Sequence, residues 1–356
     1  MRAVTIVHVA EKARVSVSTV SRVLKDEPNV SPEVRERVKA IIEKLGYTPS
    51  MAARRMGGSK SYLIISLNDR RLTIDNWKSG RGNDWLDQML YGAMLTCQQA
   101  GYHFMFELVD LESEQLEQQI STLVGSLRPD GVIVTPPSSD NQTILGVLRR
   151  RQIPMVRLGA NSPGQGHRVY MDDHAAARCV TRYLLDLGHR RIGFITGSYR
   201  FQSSLRRVQT FTEVMSEAGV AVHEAWLQRG DFTYESGAAG AKALLDLAPE
   251  ERPTAIKASN DEMALGALHV AQQLGIAVPE QLSIISYDDT ASMRFCTPPL
   301  TAIRQPTSEM AAKAAQLLVD ASAAGGKPGT SDTQVPFTLV VRGSCAPPLA
   351  SASASA

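Results

Sequence analysis

From Tyr62 to Tyr287, short apolar runs alternate with longer helical segments, and this alternation constrains the fold more than anything else in the 356 residues. Tyr62–Leu67, Tyr102–Val109, Gly131–Thr135, Pro154–Leu158, Arg191–Thr196, Trp226–Arg229, Thr254–Ser259 and Leu282–Tyr287 read as strands. Trp85–Ala100, Leu116–Leu127, Ile144–Arg150, Asp173–Leu187, Ser203–Ala218, Tyr234–Leu247 and Glu262–Leu274 read as helices between them. Apolar strands joined by helices make parallel sheets covered on both faces. About ten strand candidates are too many for one compact sheet. Residues 61–346 are therefore expected to form an α/β core of two doubly wound parallel-sheet subdomains. The first crossover is placed near 160–165, at Ala160-Asn161-Ser162-Pro163-Gly164, and a second near 288–292. Asn68–Asn83 is long, polar and basic, and reads as a lid loop or an unordered stretch. The tail, 347–356, is low-complexity and expected to be disordered.

Residues 1–48 have a different texture. Ile6, Val9, Ala10 and Ala13 make one apolar stripe, and Arg14-Val15 turns into a second helix over Val17–Leu24. Ser16 stands where an N-cap belongs. Val20, Val23 and Leu24 share its inner face; Val17, Ser18, Ser21 and Arg22 lie towards the other. Ser31-Pro32-Glu33 opens a third helix, which carries Val34, Val38, Ile41, Ile42 and Leu45 and stops at Gly46. Helix, tight turn, helix is the helix-turn-helix pattern. An outer face of short donors, valine methyls and one Arg suits a DNA major groove, where Arg reaches guanine O6 and N7. Charge agrees: residues 1–60 hold twelve Lys/Arg against six Asp/Glu, a net +6, so the overall +2 leaves −4 for the other 296 residues. A basic head on a mildly acidic body fits a nucleic-acid binder. Residues 49–60 read as a hinge helix and linker: Ser50–Met56 is helix-capable but too short to be stable alone, and Gly57-Gly58-Ser59 is flexible.

Other classes are disfavoured. Cys97, Cys179, Cys296 and Cys345 form no close pair and no metal-ligand spacing, so reduced cysteines in the cytoplasm are expected. The N-terminus lacks an apolar signal region, and no run is long enough to span a membrane. No GxGxxG follows a strand and no GxxxxGK[ST] occurs. No nucleophile–base–orienter set is visible, so neither catalysis nor a cofactor is expected.

In open α/β sheets, ligands sit beyond the carboxyl ends of the strands. Asp69, Arg207, Asn260 and Asp288, with Phe232 as an apolar plate, supply what sugar recognition needs. Each has a plainer reading. Arg207 and Asp288 could form a salt bridge between subdomains, and Phe232 could be core. Asp261 reads as the cap of the following helix rather than a ligand contact. His189 reads as a helix-end cap, and Asp288-Asp289 lacks a third metal ligand.

The chain resembles the LacI–GalR family of bacterial transcription regulators over essentially its whole length. The resemblance rests on Val9-Ala10, Ala13-Arg14-Val15-Ser16, Thr19-Val20-Ser21-Arg22-Val23-Leu24 and Leu45-Gly46-Tyr47-Thr48-Pro49 in the head. In the body it rests on Leu187-Gly188-His189, Asn260-Asp261-Glu262-Met263-Ala264, Tyr287-Asp288-Asp289, Pro298-Pro299-Leu300-Thr301 and Leu339-Val340-Val341-Arg342-Gly343. It implies a periplasmic-binding-protein-like core that takes a small-molecule effector, a sugar or sugar derivative, between its subdomains. It also implies a homodimer on double-stranded operator DNA, acting as a repressor. Val17 and Ser18 would read bases, with Arg22 beside them. Thr5, Ser16, Thr19, Ser21, Ser31 and Tyr47 would hold phosphates. Ala53 and Met56 would meet DNA from the hinge, Met56 as a minor-groove wedge. Arg207 and Asp288 match effector positions. Three departures stand out: His8 replaces an acid, Ser50 an Asn, and Gly159 an effector-binding Asp, with Arg157 nearby as a further effector candidate. A solute-binding protein of the same core fold is the alternative, and residues 1–60 argue against it.

Overall fold

The structure is a computed structural model that describes residues 4–24, 26–47, 60–79 and 83–349. The hinge stretch, including Ser50, Ala53 and Met56, lies outside the described residues, as do residues 350–356. The chain divides into two compact units, one up to Tyr62 and one from Leu63 onward.

Among the described residues the first unit contains three helices: α1 (Ile6–Ala13), α2 (Val17–Leu24) and α3 (Pro32–Leu45). Their core is Val9, Ala10, Ala13, Val20, Val23, Val38 and Tyr47. Leu24 departs from expectation. It ends α2 at 36 % exposed, while Val20 and Val23 alone face inward. The termini are closed by their own residues. The backbone N–H of Thr5 donates to His8 Nδ1 at 3.0 Å, so His8 reaches back as an acidic third residue would. Arg14 turns the chain left-handed after α1, at φ 52°. Ser31 accepts from the Val34 N–H at 3.4 Å, and Gly46 ends α3 at φ 60°.

The second unit holds two six-stranded sheets. The first runs β2 (His103–Val109), β1 (Leu63–Asp69), β3 (Gly131–Val134), β4 (Met155–Leu158), β5 (His167–Tyr170) and β11 (Ser331–Gln334), all parallel. The second runs β7 (Leu227–Arg229), β6 (Ile192–Thr196), β8 (Ala255–Ala258), β9 (Ser283–Asp288), β10 (Thr301–Arg304) and β12 (Thr338–Val340). Among the described residues only β12 is antiparallel, against β10. β1, β3, β4, β6 and β8 are buried along their full length, as a sheet sandwiched between helices requires.

The crossovers between subdomains lie elsewhere than the sequence places them. The loop at 159–166 stays in the first subdomain, because β5 follows it and pairs with β4. The chain first crosses after β5, into α8 (Asp173–Asp186), which packs on α9 (Gln202–Glu217). It crosses back between β10 and α13 (Thr307–Ala323), not near 288–292, since β10 still pairs with β9. A third crossing joins β11 to β12. The polar strands β5 and β11 escape a periodicity reading because they lack an apolar run.

Asn68–Asn83 is no lid loop over most of its length. Arg70–Ser79 form a helix, α4, whose first turn is capped by Asp69 Oδ1 accepting the Leu72 N–H at 2.9 Å. The remaining helices are α5 (Asp84–Gln99), α6 (Leu116–Leu127), α7 (Gln142–Arg150), α10 (Tyr234–Leu245), α11 (Asp261–Gln273) and α12 (Ser292–Phe295). The tail is ordered as far as it is described: Pro348 lies alongside Gly188. His189 does not cap a helix with its side chain. Its Nδ1 meets Thr254 Oγ1 at 2.8 Å and its Nε2 meets the Ala346 carbonyl at 3.0 Å, which fastens the C-terminal segment to the second sheet.

Candidate functional site

In the first unit, α2 offers a compact polar face. Ser16 Oγ accepts the Thr19 N–H at 3.1 Å and lies 2.7 Å from Ser18 Oγ and 2.9 Å from Thr19 Oγ1. These hydroxyls are thereby oriented before any partner arrives. Val17 stands out at 42 % exposed, an unpaired branched methyl pair on a surface of donors. Arg22 is exposed, its Nε 3.9 Å from the Glu27 carboxylate, a loose pair that leaves the guanidinium usable. Thr5, Ser16, Ser18 and Ser31 are exposed, and Thr19 and Ser21 partly so. Tyr47 is only 6 % exposed and packs in the core of the unit, so little of it remains for a phosphate.

In the second unit, a cavity of about 420 Å³ opens between the subdomains, at the carboxyl ends of both sheets. The first subdomain lines it with Asn68 and Asp69 after β1, α4, Asp84 and Trp85 at the start of α5, Thr135 after β3, and Gly159 after β4. The second lines it with Arg200, Phe201, Arg207, Phe232, Asn260, Asp261 and Asp288. Five of the six expected effector residues thus meet in one cavity. Arg157 does not. It sits two residues deeper in β4, 2 % exposed, with Nη1 donating to Asp140 Oδ1 at 2.6 Å and to the Ser162 carbonyl at 3.1 Å. It pins the loop after β4 and lines no part of the cleft.

Arg207 is the centre of the second subdomain's wall. It pairs with Asp173 at 2.7 Å, donates to the Ser259 carbonyl at 3.2 Å, and lies over the Tyr287 ring at 3.6 Å. Burial works against its charge, but Asp173, Tyr287 and Asp288 more than offset this and raise its pKa. Its ion pair is thus with Asp173 rather than Asp288. Asp288, at φ 114°, accepts a hydrogen bond from the Gln305 amide, and burial with neighbouring Asp261 raises its pKa well above the usual range. Asn260, not Asp261, caps α11: its Oδ1 accepts the Met263 N–H at 3.0 Å. Its amide donates to the Phe232 carbonyl at 2.8 Å and so fixes the Phe232 loop. Asp261 instead accepts the Thr290 N–H at 2.6 Å and a bond from Ser286, and burial pushes its pKa up to about 7.

Phe232 serves both of its readings. At φ 73° it packs against the core of the second subdomain, meets Phe201 edge to face at 5.3 Å, and still lines the cavity. A side chain at Gly197 would strike its ring, at 2.3 Å, so that position must stay bare. Asp69 bridges the subdomains: Arg200 donates to its Oδ2 at 3.0 Å. Sequence reasoning missed Trp85, Asp173, Arg200 and Gln305. Asp173 alone left a signal, as an acid opening a helix. Among the described residues no cluster of His, Cys, Asp or Glu could hold a metal ion.

Residues 5–50 match the model of bacterial regulatory proteins of the lacI family, and residues 181–345 that of a periplasmic binding protein-like domain. The HTH-type transcriptional regulator CelR of Thermobifida fusca is 31 % identical over 95 % of both chains. This chain belongs to the LacI family. The solved structure of a CelR–cellobiose complex matches with a TM-score of 0.69 at 29 % identity, over 96 % of this chain and 99 % of that one. The lac repressor dimer bound to operator and the anti-inducer ONPF matches with a TM-score of 0.79 at 25 % identity, over 97 % and 100 %. As a LacI-family member, the chain is a helix-turn-helix transcription regulator with an effector-binding core of two parallel-sheet subdomains. No helix among the described residues is long and apolar enough to cross a membrane.

Proposed function

We propose that this LacI-family regulator is a cytoplasmic repressor without catalytic activity. It binds operator DNA through α2 as a homodimer and is switched by a disaccharide-sized carbohydrate held between its core subdomains. The observation that carries the effector half is the cavity itself. Its two walls belong to different subdomains, and its guanidinium, amide, carboxyl and aromatic groups suit hydroxyls and an apolar sugar face. A ligand touching both walls favours one subdomain arrangement over another, and that difference in affinity is the switch. CelR, whose structure holds cellobiose, supports the size class.

On the DNA side, Val17 and Ser18 read base edges beside Arg22, and Thr5, Ser16, Thr19, Ser21 and Ser31 position the head on phosphates. The dimer face in the first subdomain is the apolar strip of α5, where Tyr91, Met94 and Leu95 are 62 %, 52 % and 40 % exposed. The lac repressor, solved as an operator-bound dimer, supports that assembly.

A melting-temperature screen of the full chain against mono- and disaccharides tests the effector, since binding to the native state raises stability by mass action. Gel-shift titrations at several salt concentrations test the DNA reading. Affinity should fall steeply as salt rises, because phosphate contacts release counterions. Operator affinity indifferent to salt would refute it.

A further inference from the structure

Beside the cleft lies a second cavity, of about 290 Å³. It is lined by Asn161 of the loop after β4, Arg168 and Tyr170 of β5, Asp172 and Asp173 at the start of α8, and Arg206 of α9. At about 30 Å³ for each water, it has space for a molecule of roughly ten non-hydrogen atoms. Asp173 and Met171 line both cavities, so the two share a wall. The β5 residues belong to the first subdomain and Arg206 to the second, so a molecule held here also touches both.

The cavity has cationic donors to spare. Arg168 is 7 % exposed, and its guanidinium lies 3.9 Å from the Tyr170 ring centre. Its Nη2 donates to Asp332 Oδ2 at 2.7 Å, but its buried Nε has no hydrogen-bond partner. An unmet buried N–H costs free energy, and a ligand oxygen beside it would recover that cost. Arg206 is exposed. Its Nη2 reaches the Asn161 carbonyl at a long 3.4 Å, and no carboxylate of the described residues pairs with it; the undescribed stretches contain no Asp or Glu. The acids of the cavity are already answered. Asp173 Oδ1 accepts from Arg207 Nε at 2.8 Å and from the Tyr287 hydroxyl at 3.1 Å. Asp172 Oδ1 accepts the Ala175 N–H at 2.9 Å and so caps α8, where a helix N-terminus favours negative charge. With Arg168 set against Asp332 and Arg207 against Asp173, Arg206 is the charge left over.

We propose that this second cavity binds a small oxyanion-bearing metabolite, a phosphate ester or a carboxylate, between Arg168 and Arg206. Guanidinium forks match the oxygens of both groups, whereas a neutral polyol would leave the Arg206 charge unanswered. The site is separate from the carbohydrate cleft and does not depend on what fills that cleft. Its occupant biases the same arrangement of subdomains, so anion and cleft ligand change each other's affinity by one common factor.

Calorimetric titrations of the full-length protein at matched ionic strength test the site with inorganic phosphate, glycerol 3-phosphate, malate and, as the neutral control, glycerol. At least one anion should bind saturably and glycerol should not. A response to the phosphates alone assigns a phosphate ester, and to malate alone a carboxylate. Arg206 lines this cavity and not the cleft, so Arg206→Gln should weaken the anion about tenfold or more, and Arg206→Lys, which keeps the charge without the fork, by less. Silence with all three anions, or a Kd unchanged in Arg206→Gln, overturns the site. Gel shifts at constant ionic strength test the coupling: the bound anion should change the operator affinity of the unaltered protein and not that of Arg206→Gln. Operator affinity indifferent to a bound anion overturns the coupling and leaves the site standing.

Discussion

Lys257 shows at the scale of one residue how context decides what a charge does. It lies in the middle of β8, 1 % exposed, with its Nζ 4.2 Å from the Phe194 ring centre and no hydrogen-bond partner. Burial, reinforced by Arg207, lowers its pKa to about 7, from 10.5. Between those values the unfolded chain carries a proton that the native chain lacks, so this residue's contribution to stability increases as pH rises from about 7 to about 10.5. Lys257→Met should remove that increase and raise stability most at pH 7 and below. Urea midpoints of the two proteins, compared across this range, check it; parallel curves would refute it. Arg207→Lys should keep a positive charge but lose the fork that holds Asp173 and Ser259. It should abolish the sugar-induced melting shift while operator binding survives, as gel shifts would show. Neither residue's surroundings were legible in the sequence. Arg157 and Arg207 look alike on the page, yet one pins a loop and the other walls a cleft. The ends of strands can be read from a pattern; which neighbour arrives beside them depends on long-range packing. That is why Asp69, Phe232, Asn260 and Asp288 could be placed at the cavity from the sequence and Arg200, which reaches Asp69 from another subdomain, could not.

Helices and strands were more legible than their partners. The three head helices and most core strands follow from apolar spacing and caps, whose causes are local. The polar strands β5 and β11 and helix α4 do not, because pairing to a neighbour or a single Asp69 cap creates them. Close packing is another long-range cause. α10 and α11 touch at Gly237 and Gly266, where an added Cβ would come within 2.3 Å and 2.4 Å of the facing backbone. Gly237→Ala should therefore destabilise the second subdomain by about 1–3 kcal/mol, as overpacking does, and lower the urea midpoint accordingly. For α2, the division between oriented hydroxyls and the exposed Val17 has a consequence for specificity. Val17→Ala should alter operator sequence preference, measured by selection from randomised sites, while the slope of affinity against salt stays the same. A changed slope would mean that Val17 acts on phosphate contacts.

Across the whole molecule, assembly and switching share α5: its first turn lines the cleft with Asp84 and Trp85, and its exposed strip is the proposed partner face. Met94→Glu should yield a monomer by light scattering and lower operator affinity, since each dimer half alone loses the second half-site. Effector binding to the monomer should persist. The three crossings between subdomains carry a different consequence, for biosynthesis. The first subdomain begins at β1, yet it needs α13 against its sheet and β11 beside β5, both made after nearly the whole second subdomain. On the ribosome, the lobe that starts first finishes last. Its sheet edge at β5 and the apolar flank of α5 must wait, uncovered, until the chain reaches residue 334, while the head can already have folded. Nascent chains halted between β10 and α13 should therefore be where this protein most needs a chaperone.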